Sequence, residues 1–288
     1  VSGFDLQISY GDEARERVGF FTDTSLCIGC KACEVACKEW NRVPEDGLVQ
    51  RGLSMDNTAS LDANTWRHVA FVEQRDAFEL GDDGEGGLRW LMASDVCKHC
   101  THAACLEVCP TGALFRTEFG TVVVQEDVCN GCGYCIPACP FGVIGRRAED
   151  GLAHKCTLCY DRLKDDATPA CAQACPTRSI QFGPLEELRA HAHERVEQLV
   201  EAGEAGARLY LAGEGDGIGG AGAFFLLLDE PEVYGLPPDP VDPTRRIGQI
   251  WGLTALAAGT MLAGVAAAVL GGESRPGRRP GRRGRGRR

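Results

Sequence analysis

The strongest pattern of apolar positions lies near the C-terminus. Residues 250–270, IWGLTALAAGTMLAGVAAAVL, contain no charge. As a helix at ~1.5 Å per residue they reach about 31 Å, against a bilayer core of roughly 30 Å. A buried core helix would be shorter and would keep a polar face, so the pattern predicts a spanning helix over 246–271. Elsewhere the periods are those of a water-soluble body. Leu185, Leu188, Ala192, Val196, Leu199 and Val200 recur on one face of a helix over 184–201. Short apolar runs predict strands at WRHVAFVEQ, ARLYLA and AFFLLLDE, and a lead-in strand and loop over 1–26. Residues 114–125, LFRTEFGTVVVQ, predict a hairpin turning near Phe119 and Gly120. The 59 residues between Cys37 and Cys97 contain Gly and Asp clusters such as ELGDDGEGGLRW and read as an insertion with one strand. EPEVYGLPPDPVDPTRR, rich in proline and acid, predicts a stiff linker to the apolar helix.

The loop GEGDGIGGAG contains GxGxxG at Gly215, Gly217 and Gly220. A dinucleotide site needs a helix after such glycines, because the helix N-terminus binds the pyrophosphate. Here the strand-like FFLLLDE follows, so a turn is expected and a nicotinamide or flavin site is not.

Cysteine changes the picture most. All 16 fall into four groups of four: Cys27, Cys30, Cys33, Cys37; Cys97, Cys100, Cys105, Cys109; Cys129, Cys132, Cys135, Cys139; and Cys156, Cys159, Cys171, Cys175. The third group, CNGCGYCIPACP, fits C-x2-C-x2-C-x3-C-P. The first has the same spacing without the proline, and the second has two extra residues in its middle. The fourth has an eleven-residue gap. Thiolates at this spacing suit 4Fe–4S clusters: three close cysteines reach three corners of a cube, and the fourth, starting a helix that points away, ligates a neighbouring cluster. Disulfides would make poor geometry of four compact CxxC groups. Structural zinc accepts CxxC pairs, but runs of C-x2-C-x2-C followed by x3-C-P favour clusters. His99 and His102 are expected in loop or surface roles, Trp40 in simple packing. Lys31, Lys38, Lys98 and Lys155 adjoin cysteines and either tune clusters or lie exposed.

Groups two and three are 19 residues apart with one hairpin between them, the plan of a complete two-cluster ferredoxin. That leaves groups one and four to pair across 118 residues. The crossed-ligand rule then predicts four cluster-binding sets. These are Cys27, Cys30, Cys33 and Cys175; Cys37, Cys156, Cys159 and Cys171; Cys97, Cys100, Cys105 and Cys139; and Cys109, Cys129, Cys132 and Cys135. The expected fold is α+β: two ferredoxin-like dicluster units in one loop-rich body, followed by a single C-terminal transmembrane helix. The outer unit spans 1–96 and 141–182 with an insertion at 38–96, and the inner unit spans 97–140. An extension and linker over 183–245, the helix over 246–271 and a basic tail over 272–288 complete the chain. No activated nucleophile, acid–base pair or substrate pocket is visible, so no catalytic residue is expected.

Charge is uneven. Arg275 to Arg288 hold eight arginines and no acid, so the chain carries −11 overall and −19 without them. After a spanning helix, a basic tail predicts a cytoplasmic C-terminus with the body outside; a nucleic-acid role is the alternative. The first twenty residues show no basic n-region, apolar run or twin-arginine pair. No cleavable export signal is expected in them, and the body would be exported folded with a partner. Ala255, Gly259, Ala263, Ala267 and Gly271 form a smooth stripe suited to helix packing. The helix has no histidine to bind haem.

CIGCKACEVACKEWN, CKHCTHAACLEVCPTGAL, CNGCGYCIPACPFGVIG and KCTLCYDRL…PACAQACPT together resemble the iron–sulfur beta subunit of a membrane-bound formate dehydrogenase. The resemblance is strong over residues 22–182 and weaker through VYGLPPDP and the apolar helix. It implies two pseudo-symmetric ferredoxin-like units holding four 4Fe–4S clusters on the same crossed ligands. It also implies partners: a molybdenum or tungsten pterin alpha subunit with its own cluster, and a membrane cytochrome b gamma subunit leading to quinone. Beta subunits of hydrogenases and other molybdopterin oxidoreductases share this plan, so the electron donor stays open. The segments around 45–90 and 201–222 look idiosyncratic. From a different class, a zinc-stabilised, membrane-tethered binding protein is the remaining alternative.

Overall fold

A computed structural model describes residues 10–47, 50, 52, 55–58, 60–75, 88–213 and 215–270. The glycine-rich part of the insertion and the arginine tail lie outside the described residues.

Strand β1 (Val18–Asp23) is the centre of the body. Its sequence VGFFTD places Phe20 and Phe21 on opposite faces, as strand alternation requires, and both are fully buried. Phe20 joins the core that contains the cysteines. Phe21 joins a second core, under the helix that follows β8. β1 pairs antiparallel with β8 (Ile180–Pro184) and parallel with β10 (Ala223–Leu227), which pairs antiparallel with β9 (Arg208–Tyr210). The sheet order is therefore β8-β1-β10-β9. β10, AFFLL, is apolar throughout because both its faces are covered.

Helix α6 (Leu185–Glu201) covers the Phe21 face with Leu185, Leu188 and Ala192. Val196 and Leu199 pack partly against the same core, whereas Val200, expected on this face, is 49 % exposed. The glycine-rich loop between β9 and β10 is a turn, as expected. The Asp216 carboxylate accepts the backbone N–H groups of Ile218 and Gly220, and a strand follows.

The expected strand at 66–74 is β2 (Arg67–Arg75), and it pairs residue for residue with β3 (Leu88–Val96). β3 was not anticipated, because LRW reads as the end of a glycine-rich loop. β4 (Leu114–Arg116) and β5 (Val122–Val124) form the expected hairpin, closed by the Thr117 N–H donating to Thr121 O. β6 (Gly145–Arg146) and β7 (Ala153–His154) make a further short pair. Five helices carry or flank cysteines: α1 (Ala32–Asn41), α2 (Ala104–Glu107), α3 (Cys135–Ala138), α4 (Tyr160–Lys164) and α5 (Ala170–Gln173).

Residues 245–288 form a separate unit. Its helix α7 (Ile247–Leu270) is long and apolar enough to cross a membrane, and none of its side chains is buried. Thr254 and Thr260 donate their hydroxyls to the carbonyls of Ile250 and Ala257, which satisfies their polar groups inside an apolar helix.

Candidate metal centres

The four cysteine groups share one local design. In the first C-x2-C loop of each group the residue before the second cysteine is left-handed: Gly29 (φ +66°), His99 (+45°), Gly131 (+69°) and Leu158 (+58°). Such turns gather backbone N–H groups on one side, a concave surface suited to anions. The third cysteine of each group then lies on a helix: Cys33 on α1, Cys105 on α2, Cys135 on α3 and Cys171 on α5. The fourth follows one helical turn later. Cys139 caps α3, Cys109 and Cys175 lie just past α2 and α5, and Cys37 sits within the longer α1. The helix therefore begins at the third cysteine or one residue before it, not at the fourth as the sequence suggested. α1 packs against α5, and α2 against α3.

The thiols gather in four neighbourhoods. Burial pushes Cys27 up, and the charges of Cys175 and Cys30 add to it. Burial pushes Cys37 well up, reinforced by Cys156, Cys171 and Cys159. Burial raises Cys100 strongly, with Cys97, Cys105 and Cys139 next. Burial raises Cys135 to about 11; a backbone N–H opposes this, and Cys129, Cys109 and Cys132 reinforce it. An apolar recess is lined by Cys27, Cys30, Cys33 and Cys175. Another is lined by Cys97, Cys100, Cys105 and Cys139.

Charge interactions between thiols also join each neighbourhood to the next. Cys171 adds to the burial that pushes Cys33 up to about 11. Cys97 is the first charge partner of Cys156, a thiol that burial raises to about 12. Cys135 contributes to Cys105, also raised by burial to about 12. At the two ends of this succession Cys30 and Cys132 are exposed, whereas Cys37, Cys156, Cys159 and Cys171 in the middle are all buried.

Buried cations accompany the middle. Lys98 and Lys155 are fully buried, so the reading of exposed lysines fails for both. The Lys98 ammonium donates to Asp95 and to Val96 O, and lies 5.0 Å from the Phe141 ring centre and 5.2 Å from that of Phe225. Lys155 donates to Val122 O and to Cys156 O. Lys31 and Lys38 instead pair with Asp56 and Asp46. His99 lies in a loop, as one of the two expected roles has it, but is buried rather than at the surface. Its Nδ1 accepts the Val122 N–H, so the ring hydrogen lies on Nε2, and burial holds the imidazole neutral. Trp40, expected in simple packing, is 48 % exposed; its Nε1 donates to Asp161 and the Arg162 guanidinium lies 4.1 Å from its ring centre.

Two side chains escaped the sequence reading. The Asn41 amide lies 3.7 Å from Cys37 Sγ and 3.8 Å from Cys159 Sγ. Arg67 is buried and one of its terminal nitrogens lies 3.3 Å from Cys171 Sγ. Neither adjoins a cysteine in sequence, so only the arrangement of β2 and α1 in space could reveal them.

These features fit thiolate-bound, anionic clusters. Buried thiols ionise only at high pH by themselves, and bound iron would supply the compensating charge. The buried Arg67 Nε and His99 Nε2 have no hydrogen-bond acceptor among the described residues, which suits them to donate toward an anionic group.

Comparison with known proteins agrees. Two family models described as 4Fe-4S dicluster domain match residues 26–113 and 88–185. The formate dehydrogenase iron–sulfur subunit of Haemophilus influenzae is 42 % identical over 224 residues, covering 76 % of this chain and 68 % of that protein. The chain therefore belongs to the family of formate dehydrogenase iron–sulfur subunits. The nitrate-inducible formate dehydrogenase iron–sulfur subunit of Escherichia coli is 40 % identical over 78 % of this chain and 74 % of its own length. The B subunit of anaerobic dimethyl sulfoxide reductase from the same organism is 38 % identical over 59 % of this chain and 75 % of its own length. As a member of this family the chain is an electron-transfer subunit, without a catalytic site of its own, built on 4Fe–4S dicluster domains.

Proposed function

We propose that the chain holds four 4Fe–4S clusters in a line. It would carry electrons from a molybdopterin formate dehydrogenase catalytic subunit to a membrane cytochrome b and the quinone pool. The ligand sets, in order, are Cys27, Cys30, Cys33 and Cys175; Cys37, Cys156, Cys159 and Cys171; Cys97, Cys100, Cys105 and Cys139; then Cys109, Cys129, Cys132 and Cys135. The observation that carries this reading is the succession of thiol neighbourhoods, with Cys37, Cys156, Cys159 and Cys171 buried in the middle and Cys30 and Cys132 exposed at the ends. Bound clusters supply one-electron redox chemistry. The protein's part is to hold each set of thiolates, exclude water from the middle, and leave the two end loops open to a donor and an acceptor. The first two sets form an outer unit drawn from 1–96 and 141–182, and the last two an inner unit over 97–140.

Helix α7 anchors the subunit in the membrane, and the basic residues beyond it hold the C-terminus on the cytoplasmic side with the body outside. The likeness to a dimethyl sulfoxide reductase subunit favours a second reading, in which the same module serves another molybdopterin enzyme. Purification of the native complex in mild detergent separates the two. About sixteen irons per chain are expected from four cubes, together with a pterin-containing partner and formate-to-quinone activity. Formate-independent reduction of another substrate would favour the second reading, and zinc in place of iron and sulfide would refute both.

A further inference from the structure

Arg67 is the first residue of β2 and sits opposite Val96 of β3, deep beneath the sheet. Only 2 % of it is exposed. One terminal nitrogen donates to Ser94 O at 3.2 Å and to Ser94 Oγ at 3.3 Å, and the other lies 3.3 Å from Cys171 Sγ. Ser94 Oγ is in turn 3.2 Å from Cys33 Sγ. A continuous polar path thus runs from Cys33 through Ser94 and Arg67 to Cys171. Its two ends belong to different ligand sets in the proposed assignment. The guanidinium stacks 4.9 Å from the centre of the Phe20 ring, and its Nε has no acceptor among the described residues. Among the described residues no carboxylate pairs with Arg67; its charge partners are the thiols of Cys171, Cys33, Cys156 and Cys37.

A buried guanidinium without a carboxylate is costly unless some other anion faces it. Thiolate-bound clusters are such anions, and each gains negative charge on reduction. A fixed cation beside both sets favours both reduced forms. Arginine suits the place better than lysine, because its planar fork serves two acceptors at once and it does not lose its proton.

We propose that Arg67 is the shared counter-charge of the two outer clusters and raises both of their reduction potentials, with Ser94 relaying its hydrogen bonding to Cys33. This rests on the four-cluster reading above. Electrons move between the two sets one at a time, and Arg67 neither gains nor loses a proton as they do.

The test is an EPR-monitored redox titration of the purified complex with Arg67→Gln, checked for unchanged iron content. Two of the four couples should fall together. Each should lose at least tenfold in its reduction equilibrium constant, about 59 mV for a one-electron couple. The other two should stay in place. Movement of one couple alone, or of none, overturns the proposal. Arg67→Lys keeps the charge and should leave both outer couples within tenfold of the wild type; a joint fall as large as in Arg67→Gln would overturn the charge argument. Should Arg67→Gln fail to retain iron, Ser94→Ala decides. It removes only the hydroxyl and should lower one outer couple; unchanged potentials would overturn the proposal. Failure of the four-cluster reading is separate, since it would show as deficient iron in the wild-type complex.

Discussion

The loops at Cys30 and Cys132 and the loops at Cys100 and Cys159 share one backbone turn but lie in opposite surroundings. At the two ends the left-handed position is glycine, Gly29 and Gly131, and the neighbouring apolar side chains Ile28 and Tyr134 are 59 % and 62 % exposed. In the middle the same position holds His99 and Leu158, both fully buried. A left-handed conformation costs about 1–2 kcal/mol for a residue with a Cβ. The middle loops accept that strain, and their side chains close off the interior. Buried cations also divide this way: Lys98, Lys155 and Arg67 stand near the middle, while Lys31 and Lys38 are partly exposed and pair with Asp56 and Asp46. One turn therefore serves two tasks, access at the ends and sealing in the middle.

The largest effect should come from a middle cation. Lys155→Met leaves the carbonyls of Val122 and Cys156 without their donor in a dry site. A loss of about 3 kcal/mol is expected from these unsatisfied groups, read by thermal denaturation of the iron-loaded complex. A change below about 0.5 kcal/mol, the low end for a single hydrogen bond, would erase the distinction between middle and ends.

Next comes the turn itself. Gly131→Ala would place a Cβ 2.4 Å from Gly151 O at a left-handed backbone position. About 2 kcal/mol of destabilisation is expected from strain and overpacking. Leu158→Gly relieves the strain in the middle but removes the seal. Iron should be retained while the visible cluster absorbance bleaches several-fold faster in air. Equal bleaching rates would show that Leu158 is only a packing residue.

The smallest effect concerns Asp56, which receives hydrogen bonds from Lys31 and His68 near the first cysteine loop. Burial works to raise this carboxyl, but those hydrogen bonds outweigh it and hold it below the usual carboxylate range. Its contribution is thus present above the unfolded value of about 3.9 and is lost as pH falls below it. Asp56→Asn should cost about 1 kcal/mol at neutral pH. The gap between wild type and variant, followed in denaturant titrations, should narrow as the buffer is made more acidic than that value; a gap that widens would reverse the sign.

Much of this was legible in the chain, for physical reasons. Helix α7, the hairpin of β4 and β5, and the face of α6 follow from apolar periodicity, which local sequence encodes directly. The four cysteine groups were equally plain, because CxxC spacing is a local constraint. What the sequence hid was non-local. β3 looked like loop because its pairing partner lies across the insertion. Lys98 and Lys155 looked like ordinary lysines because their burial depends on the sheet that covers them. Arg67 gave no signal, since its nearest thiol, Cys171, lies 104 residues along the chain. Leu158 and His99 disguised a turn that glycine would have announced.

The central claim is that the first and fourth cysteine groups exchange their last ligands, with Cys37 serving the set of Cys156, Cys159 and Cys171. Cys37→Ala tests it when the purified complex is treated anaerobically with iodoacetamide and the modified thiols are mapped by mass spectrometry. The account predicts that Cys156, Cys159 and Cys171 become labelled together while Cys27, Cys30, Cys33 and Cys175 stay protected by iron. Labelling of Cys27, Cys30 and Cys33 with Cys156, Cys159 and Cys171 protected would contradict it.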